Sequence, residues 1–315
     1  KKHNETLIKD RDLRLGEFFS EKIEEFIASL SLKKEKIEAI GSHGQTIKHE
    51  PNSIPPFSLQ IGNPQLISNK LGIKTIANFR DDDIAKGGQG APLSPIFHKE
   101  VFAKENKKRV IINIGGITNI SLLGGAKLLG FDTGPGNCLL DIWTKKNKKG
   151  NYDNEGNWAK AGTVDQDLLD IMMKDNYFSL EPPKSTGPDY FNLSWLQDCL
   201  MKLKREIDPR DTQATLVELT ASSLSNSLKR LKIVNENIYI CGGGVHNKFL
   251  MRRISFLLGE KCYTTDKLGL DPDYIEAICF AWLAYKRVNN IKFNMSAITG
   301  SNEKVFLGKV YLPTK

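Results

Sequence analysis

Cysteine is scarce in this chain and never paired in sequence: Cys138, Cys199, Cys241, Cys262 and Cys279 are odd in number, without CxxC spacing and mostly inside apolar runs. They read as buried thiols in a reducing cytoplasm. Long apolar runs are also missing. No segment reaches the length of a membrane span, and the first residues given hold no signal-peptide core, so neither a membrane nor a secreted protein is expected. Basic residues are plentiful, with a formal net charge of +8, but they are scattered, with short runs only at Lys104 to Arg109 and Lys145 to Lys149. A dedicated nucleic-acid stripe is therefore not expected, and no metal-ligand set is read. The 315 residues, 40% hydrophobic and 26% charged, describe a soluble globular protein of two ordinary domains.

What is present is concentrated between Arg109 and Trp143. Val110 to Ile114 and Ile117 to Leu123 are apolar, β-branched runs ending at Gly115-Gly116 and Gly124-Gly125, a hairpin with a glycine turn. A third strand, Lys127 to Phe131, delivers Asp132 into a glycine-framed turn before a helix over Gly136 to Trp143. Gly134 and Gly136 leave room for a second molecule, and the free N–H groups of the helix start face the same place as the carboxylate. A base beside an anion cradle points to phosphoryl transfer. A carboxylate before a helix can equally be a cap or a turn ligand.

Apolar spacing predicts a helix over Leu13 to Leu30 with Leu15, Phe18, Phe19, Ile23, Phe26, Ile27 and Leu30 on one stripe. Strands are expected at Ile37 to Ile40, Ser58 to Ile61 and Lys74 to Ala77, with a helix over Pro64 to Leu71. After an irregular basic stretch from Thr144 to Ala161, helices are expected around Val164 to Met173, Phe191 to Leu203 and Asp211 to Leu231. A buried strand at Ile238 to Cys241, a helix over Asn247 to Leu258, a strand near Cys262 to Thr264 and a helix over Asp273 to Asn289 follow. The order fits parallel sheets covered by helices. Ile37 to Gly44 echoes Ile238 to Val245, each a buried strand ending in small residues.

GSHGQT at Gly41 to Thr46, LQIG at Leu59 to Gly62, FRDDDIAKGGQGAPL at Phe79 to Leu93, NIGGITNIS at Asn113 to Ser121, GFDTGPGN at Gly130 to Asn137, KSTG at Lys184 to Gly187 and CGGG at Cys241 to Gly244 stand in one order. Together they resemble the anhydro-N-acetylmuramic acid kinase family over nearly the whole chain. The resemblance implies a two-domain α/β fold of the actin-like ATPase type, shared by sugar kinases, actin and Hsp70, with a cleft between domains. The first domain is drawn as 1–107, and the second as 108–315 with the tail returning to the first. It also implies the reaction: ATP, with Mg²⁺, phosphorylates 1,6-anhydro-N-acetylmuramic acid while water opens the anhydro ring, giving N-acetylmuramic acid 6-phosphate for cell-wall recycling. The partners are then ATP and an amino sugar, and a homodimer is compatible with the reading.

By the same resemblance Asp132 is the general base. Gly115, Gly116, Thr118 and Asn119 form a phosphate loop, and Gly242, Gly243 and Gly244 form an adenosine loop. A ligand-free hairpin turn and close strand-to-helix packing are the plain alternatives. Magnesium is expected to bridge phosphates and be held largely by water. For the sugar, the Phe79 to Leu93 segment is a polar, glycine-rich loop suited to fold over a ligand. Arg80 suits the lactyl carboxylate through its planar fork, or else forms a surface ion pair with Asp81 to Asp83. Asp83 is the better candidate of the three aspartates. His43, Gln45, Gln89, Thr133, Gly134, Asn137, Thr186 and Glu276 complete the implied sugar contacts. Plainer roles stay open for His43 as a structural residue, Thr186 in its turn and Glu276 on a helix surface.

One block of the family pattern, a glycine-, serine- and aspartate-rich first phosphate loop, has no counterpart before Leu13, and the chain opens on Lys1. The expectation is a partial chain that grips ATP poorly. A different sugar or acetate kinase of the same superfamily, or a non-catalytic sugar sensor, are the other readings.

Overall fold

The computed structural model describes residues 2–105, 107–125, 128–233, 236–259 and 262–314. It divides into two units, Lys1–Ala91 with Ala277–Lys315, and Pro92–Glu276. In chain order the first unit contains α1 (Lys2–Ser29), β1 (Ile40–Gly41), β2 (Gln45–Glu50), β3 (Phe57–Ile61), α2 (Pro64–Leu71), β4 (Thr75–Ala77) and α3 (Asp81–Ala85). The second contains α4 (Ser94–Phe102), β5 (Arg109–Ile114), β6 (Ile117–Leu123), β7 (Leu129–Pro135), α5 (Asn137–Lys146), α6 (Asn157–Lys160), α7 (Gln166–Met173), α8 (Asn176–Ser179), α9 (Leu193–Leu203), α10 (Pro209–Arg230), β8 (Asn237–Cys241), α11 (Lys248–Leu258) and β9 (Cys262–Thr264). Helix α12 (Ile275–Val288) carries the chain back to the first unit, which ends with β10 (Phe293–Asn294), β11 (Lys304–Val305) and β12 (Lys309–Tyr311).

In the first unit β4 is the middle strand of a small sheet, with β1 parallel on one side and β12 antiparallel on the other. Helix α2 begins at Pro64 behind an Asn63 cap whose side chain accepts from the Leu66 N–H, and it ends on Gly72 at φ +67°. Its buried Ile67 and Leu71 pack with Ile27 and Ile73, and Phe19 and Ile23 of α1 lean on them. Helix α1 departs from the expected stripe: Phe18 and Phe26 stay 51% and 63% exposed, while Gly16, Ser20 and Ile27 face inward. At Gly16 the helix backbone meets Asn63, and a Cβ there would stand 3.1 Å from the Asn63 nitrogen. Close approach, which only a small residue permits, rotates the helix away from its most apolar line. Strand β2 falls where a loop was expected. Gln45–Glu50 is mostly polar and pairs with β3 through backbone bonds around a bulge, so no apolar alternation announces it.

The second unit is built on a five-stranded sheet in the order β7-β6-β5-β8-β9. The β5–β6 hairpin and β6–β7 pair are antiparallel, whereas β5, β8 and β9 run parallel. The sheet is thus mixed, correcting the expectation of parallel sheets: a glycine turn as short as Gly115-Gly116 can only reverse the chain. Val110, Ile112, Ile114, Ile120 and Phe131 bury against the helices of one core. Helix α10, packed on α5, α6, α7, α11 and β7, buries small polar residues such as Thr212, Thr215, Thr220 and Ser223 along with Leu216 and Leu224. Helix α4, which a division at residue 107 leaves with the first domain, packs on β6, with Pro95 where a Cβ on Gly130 would stand. The stretch expected to be irregular, Thr144 to Ala161, holds the end of α5 and all of α6.

Candidate active site

Asp132 stands within β7, not in a turn beyond it. The expected strand ended at Phe131, and its first residue, Lys127, lies outside the described residues. The strand instead continues to Pro135 with one register shift: Asn119 pairs with Asp132 and Thr118 with Gly134, leaving Thr133 as the extra residue of a bulge. A bulge bends a strand and re-aims its side chains, which is how the end of β7 departs from simple alternation. Asp132 is 4% exposed. Its Oδ2 accepts the Thr186 N–H at 3.0 Å, its own N–H donates to the Lys184 carbonyl at 3.3 Å, and its carbonyl accepts the Tyr177 hydroxyl at 2.7 Å. The KSTG segment therefore wraps the aspartate from both its backbone and its side chain.

The helix start behind it is not a free anion cradle, contrary to the sequence reading. The N–H groups of Gly136, Asn137 and Cys138 donate to the Gly116, Gly115 and Gly116 carbonyls at 2.9, 2.8 and 3.1 Å. The hairpin turn caps α5, and it can sit so close because residue 136 has no side chain: a Cβ there would overlap the Gly115 oxygen. Room for a ligand lies elsewhere. A Cβ on Gly115, Gly116 or Gly243 would meet nothing nearer than 3.6, 3.8 and 4.0 Å, and none of the three has a positive φ, so the fold itself does not demand glycine there. Asn113 and Asn137 are their neighbours, and these glycines follow the carboxyl ends of the parallel neighbours β5 and β8, the side on which α/β sheets take nucleotides. Thr118 adds a buried hydroxyl without a hydrogen-bond partner among the described residues. A cradle kept open by glycine at the carboxyl ends of β5 and β8 has room for a phosphate-bearing ligand, and the Thr118 hydroxyl lies buried next to Gly136. Gly242 and Gly244 differ. Gly242 sits at φ +82°, where a Cβ would stand 2.6 Å from Asn113 Oδ1, and a Cβ on Gly244 would overlap Ile114, so both are glycine for packing.

Asn119 accepts from the Ser94 hydroxyl at 3.2 Å beside Asp132. Thr133 is fully buried and donates its hydroxyl to the Thr118 carbonyl at 3.2 Å. Gly134, at φ +152°, lies against Phe178. Asn137 donates to the Ile114 carbonyl at 3.4 Å. Glu276 is exposed in the first turn of α12, and its charge adds to the burial that pushes the Cys241 thiol up, which locates it near the end of β8.

In the first unit the structure brings His43, Arg80, Asp83 and Gln89 together. His43 Nδ1 faces the Gly44 carbonyl at 2.8 Å and Nε2 faces Arg80 Nη2 at 2.9 Å. Arg80 can only donate, so Nε2 carries the lone pair and the Nδ1–H donates to Gly44. Burial, helped by the Arg80 charge, pushes His43 down to about 3. Arg80 also gives Nη1 to the Gly90 carbonyl at 2.6 Å. Of the three aspartates in the alternative reading as a surface ion pair, Asp81 takes Lys309 at 2.8 Å, and the Arg80 charge acts on Asp83 against the effect of burial. Asp83 is fully buried, accepting from Thr299 at 2.8 Å and from the Gly90 N–H at 2.7 Å, and burial raises its carboxyl pKa despite those bonds. It ties the glycine loop to Thr299 on the returning chain. Gln89 donates to Asn52 at 3.1 Å through its side chain and to the Thr299 carbonyl through its backbone at 2.8 Å. Gln45 is exposed, bonding the carbonyl of Thr46 at 3.1 Å. The Phe79 to Leu93 loop is more ordered than expected, because α3 forms one helical turn inside it.

Three side chains around Asp132 carry no local signal in sequence. Tyr177 holds its carbonyl. Lys184, 5% exposed, donates Nζ to the Tyr177 carbonyl at 3.1 Å and lies 4.6 Å from the Tyr177 ring centroid. Asp175 accepts from Tyr190, Trp195 and the Tyr177 N–H at 2.8, 2.8 and 2.9 Å. Only the KSTG block pointed at this neighbourhood.

Residues 2–313 match the family model described as anhydro-N-acetylmuramic acid kinase. A relative from Pasteurella multocida named anhydro-N-acetylmuramic acid kinase is 47% identical over 95% of this chain and 80% of its own length. Another of that name from Coxiella burnetii is 43% identical over 96% of this chain and 82% of its own. Among solved structures, an activator of 2-hydroxyisocaproyl-CoA dehydratase from Clostridium difficile aligns over 70% of this chain and 71% of its own at 16% identity and a TM-score of 0.35, too slight a likeness to bear on the fold. With residues 2–313 matched by the family model and relatives of that name 43–47% identical over nearly its whole length, the chain belongs to the anhydro-N-acetylmuramic acid kinase family, a family of ATP-dependent sugar kinases.

Proposed function

We propose that the protein converts 1,6-anhydro-N-acetylmuramic acid, ATP and water into N-acetylmuramic acid 6-phosphate and ADP, as a step of cell-wall recycling on an actin-like two-domain fold. The observation that carries this reading is the Asp132 carboxylate, buried and oriented by the Thr186 N–H in a strand that flanks the Gly115-Gly116 hairpin.

In this reading Asp132 takes a proton from a water that attacks the anomeric carbon. The bond from that carbon to the bridging ring oxygen breaks, and the freed oxygen attacks the γ-phosphorus as ADP leaves, the water proton passing finally to solvent. A positioned base contributes roughly a hundred- to ten-thousandfold in rate. Gly115, Gly116, Thr118 and Asn119 take the phosphates, Gly243 leaves space for the adenosine, and Arg80 takes the lactyl carboxylate with His43, Asp83 and Gln89 shaping its loop. Arg80 would then exchange or share the Gly90 and His43 contacts it now makes. Gln45, Thr186 and Glu276 are retained as sugar contacts. Thr133, Gly134 and Asn137 serve by holding the bulge and the helix start. Magnesium would supply positive charge to the transferring phosphates, held largely by the phosphates and by water.

Incubation with the anhydro sugar, ATP and magnesium in ¹⁸O-water tests this. The expected product is the 6-phosphate with one labelled oxygen at the anomeric position and one ADP per sugar. A phosphorylated sugar that keeps its anhydro ring would refute the coupled reaction.

A further inference from the structure

The Lys184 side chain, 5% exposed, is buried beside β7 with its ammonium turned to a backbone carbonyl. Its Nζ donates to the Tyr177 carbonyl at 3.1 Å and rests over the Tyr177 and Phe131 rings at 4.6 and 5.9 Å. Burying a long cation against aromatic faces is costly, and such a group persists where its charge is useful. Both ends of the arrangement converge on Asp132. Tyr177, whose carbonyl and ring hold the ammonium, donates its hydroxyl to the Asp132 carbonyl, and the Lys184 backbone takes the Asp132 N–H. Phe131, the other ring beneath the ammonium, is the residue before Asp132 in β7.

We infer that Lys184 is a positioning residue for Asp132: its ammonium locks Tyr177 and the Lys184–Thr186 segment around the carboxylate. The inference rests on Asp132 being the base. Four charged or titratable groups face Lys184. Arg230, from α10, opposes its charge, Glu181 and Asp132 favour it, and Tyr177 stays neutral because burial drives its hydroxyl pKa far up. Burial is the largest influence and brings Lys184 down to about 8. Asp132 and Lys184 interact, so the same attraction that favours the ammonium favours the carboxylate.

The test is kcat/KM for ADP release with the anhydro sugar, ATP and magnesium, measured from about pH 5.5 to about pH 9.5 on the full-length protein and on Lys184→Met, Lys184→Arg and Asp132→Asn. The unaltered protein is expected to lose activity as pH rises through about 8, where Lys184 gives up its proton. Lys184→Met moves the acid limb upward by about one unit, so its deficit is about tenfold larger at acid pH than at neutral pH, and it loses the fall near 8. Lys184→Arg keeps the acid limb and also loses the fall near 8. A Lys184→Met profile of unaltered shape, or a fall near 8 that survives in Lys184→Arg, overturns the inference. Should Lys184→Met fail to fold by circular dichroism, the Lys184→Arg profile decides alone. An Asp132→Asn protein with near-normal turnover removes the base and overturns both readings. An inactive Asp132→Asn protein beside unshifted Lys184 variants sinks the inference alone.

Discussion

Replacing Gly243 and its neighbour Gly244 separately by alanine sets two effects against each other. At Gly243 the new methyl meets nothing closer than Asn137 Nδ2 at 4.0 Å, and the backbone φ is not positive. Gly→Ala at a compatible position stabilises by about 0.4–1 kcal/mol through the unfolded chain, so the melting temperature should hold or rise by about 1–3 °C. If the nucleotide occupies that space, the same methyl should cost about 1–3 kcal/mol of binding, roughly ten- to a hundredfold in ATP affinity. At Gly244 the methyl would overlap Ile114, which is fully buried. Overpacking there should cost about 1–3 kcal/mol of stability, a drop of roughly 3–9 °C, with a smaller effect on ATP once the protein is folded. Thermal melts without ligand and calorimetric ATP titration on the full-length protein give the two readings. Gly243→Ala with normal ATP affinity, or with the larger loss of stability, would refute the assignment of the cradle.

Asp132→Asn should lower turnover about a hundred- to ten-thousandfold while calorimetry finds ATP binding nearly intact, and a loss confined to KM would contradict the base assignment. Asp83→Ala strands the buried Gly90 N–H and leaves the Thr299 hydroxyl only its bond to the Met295 carbonyl, so stability should fall by about 1–3 kcal/mol and KM for the sugar should rise with KM for ATP unchanged, as steady-state kinetics would report. Acid should destabilise the fold. His98 is fully buried and burial pushes it down to about 3, so the unfolded chain binds a proton below about pH 6.5 that the folded chain refuses. Stability present above pH 6.5 is then lost as pH falls toward 3, about 2 kcal/mol at pH 5 from this residue. His98→Gln should flatten that part of the melting-temperature profile, and an unchanged slope would contradict the account.

Regular elements with strong apolar patterns were legible in sequence. The β5–β6 hairpin was read to within one residue, α2 matched at both ends with its proline in the first turn, and β8 with its glycine run was in place. What escaped were features set by partners distant in sequence. Strand β2 is polar and exists because β3 lies beside it. The bulge that keeps Asp132 inside β7 depends on how β6 is registered, which no window around residue 132 contains. The helix start of α5 looked open because the carbonyls that close it belong to a turn some twenty residues earlier. Lys184, Tyr177 and Asp175 were passed over for the same reason: buried polar clusters leave no period. The glycines divide likewise, since sequence cannot tell Gly243, free of neighbours, from Gly244, pressed on Ile114.

The first unit is closed by a segment far from it in sequence. Lys309–Tyr311 forms one side of the β4 sheet, the Leu312 carbonyl accepts from Gln65, and the Thr314 N–H donates to Asn69. These residues follow the whole of Pro92–Glu276 in sequence, so the first unit cannot complete its sheet until the second has been synthesised. Until then α1 and α2 have only part of their sheet to pack on. A stop codon placed just before Lys309 would therefore damage the unit that holds α1 and α2 and spare Pro92–Glu276.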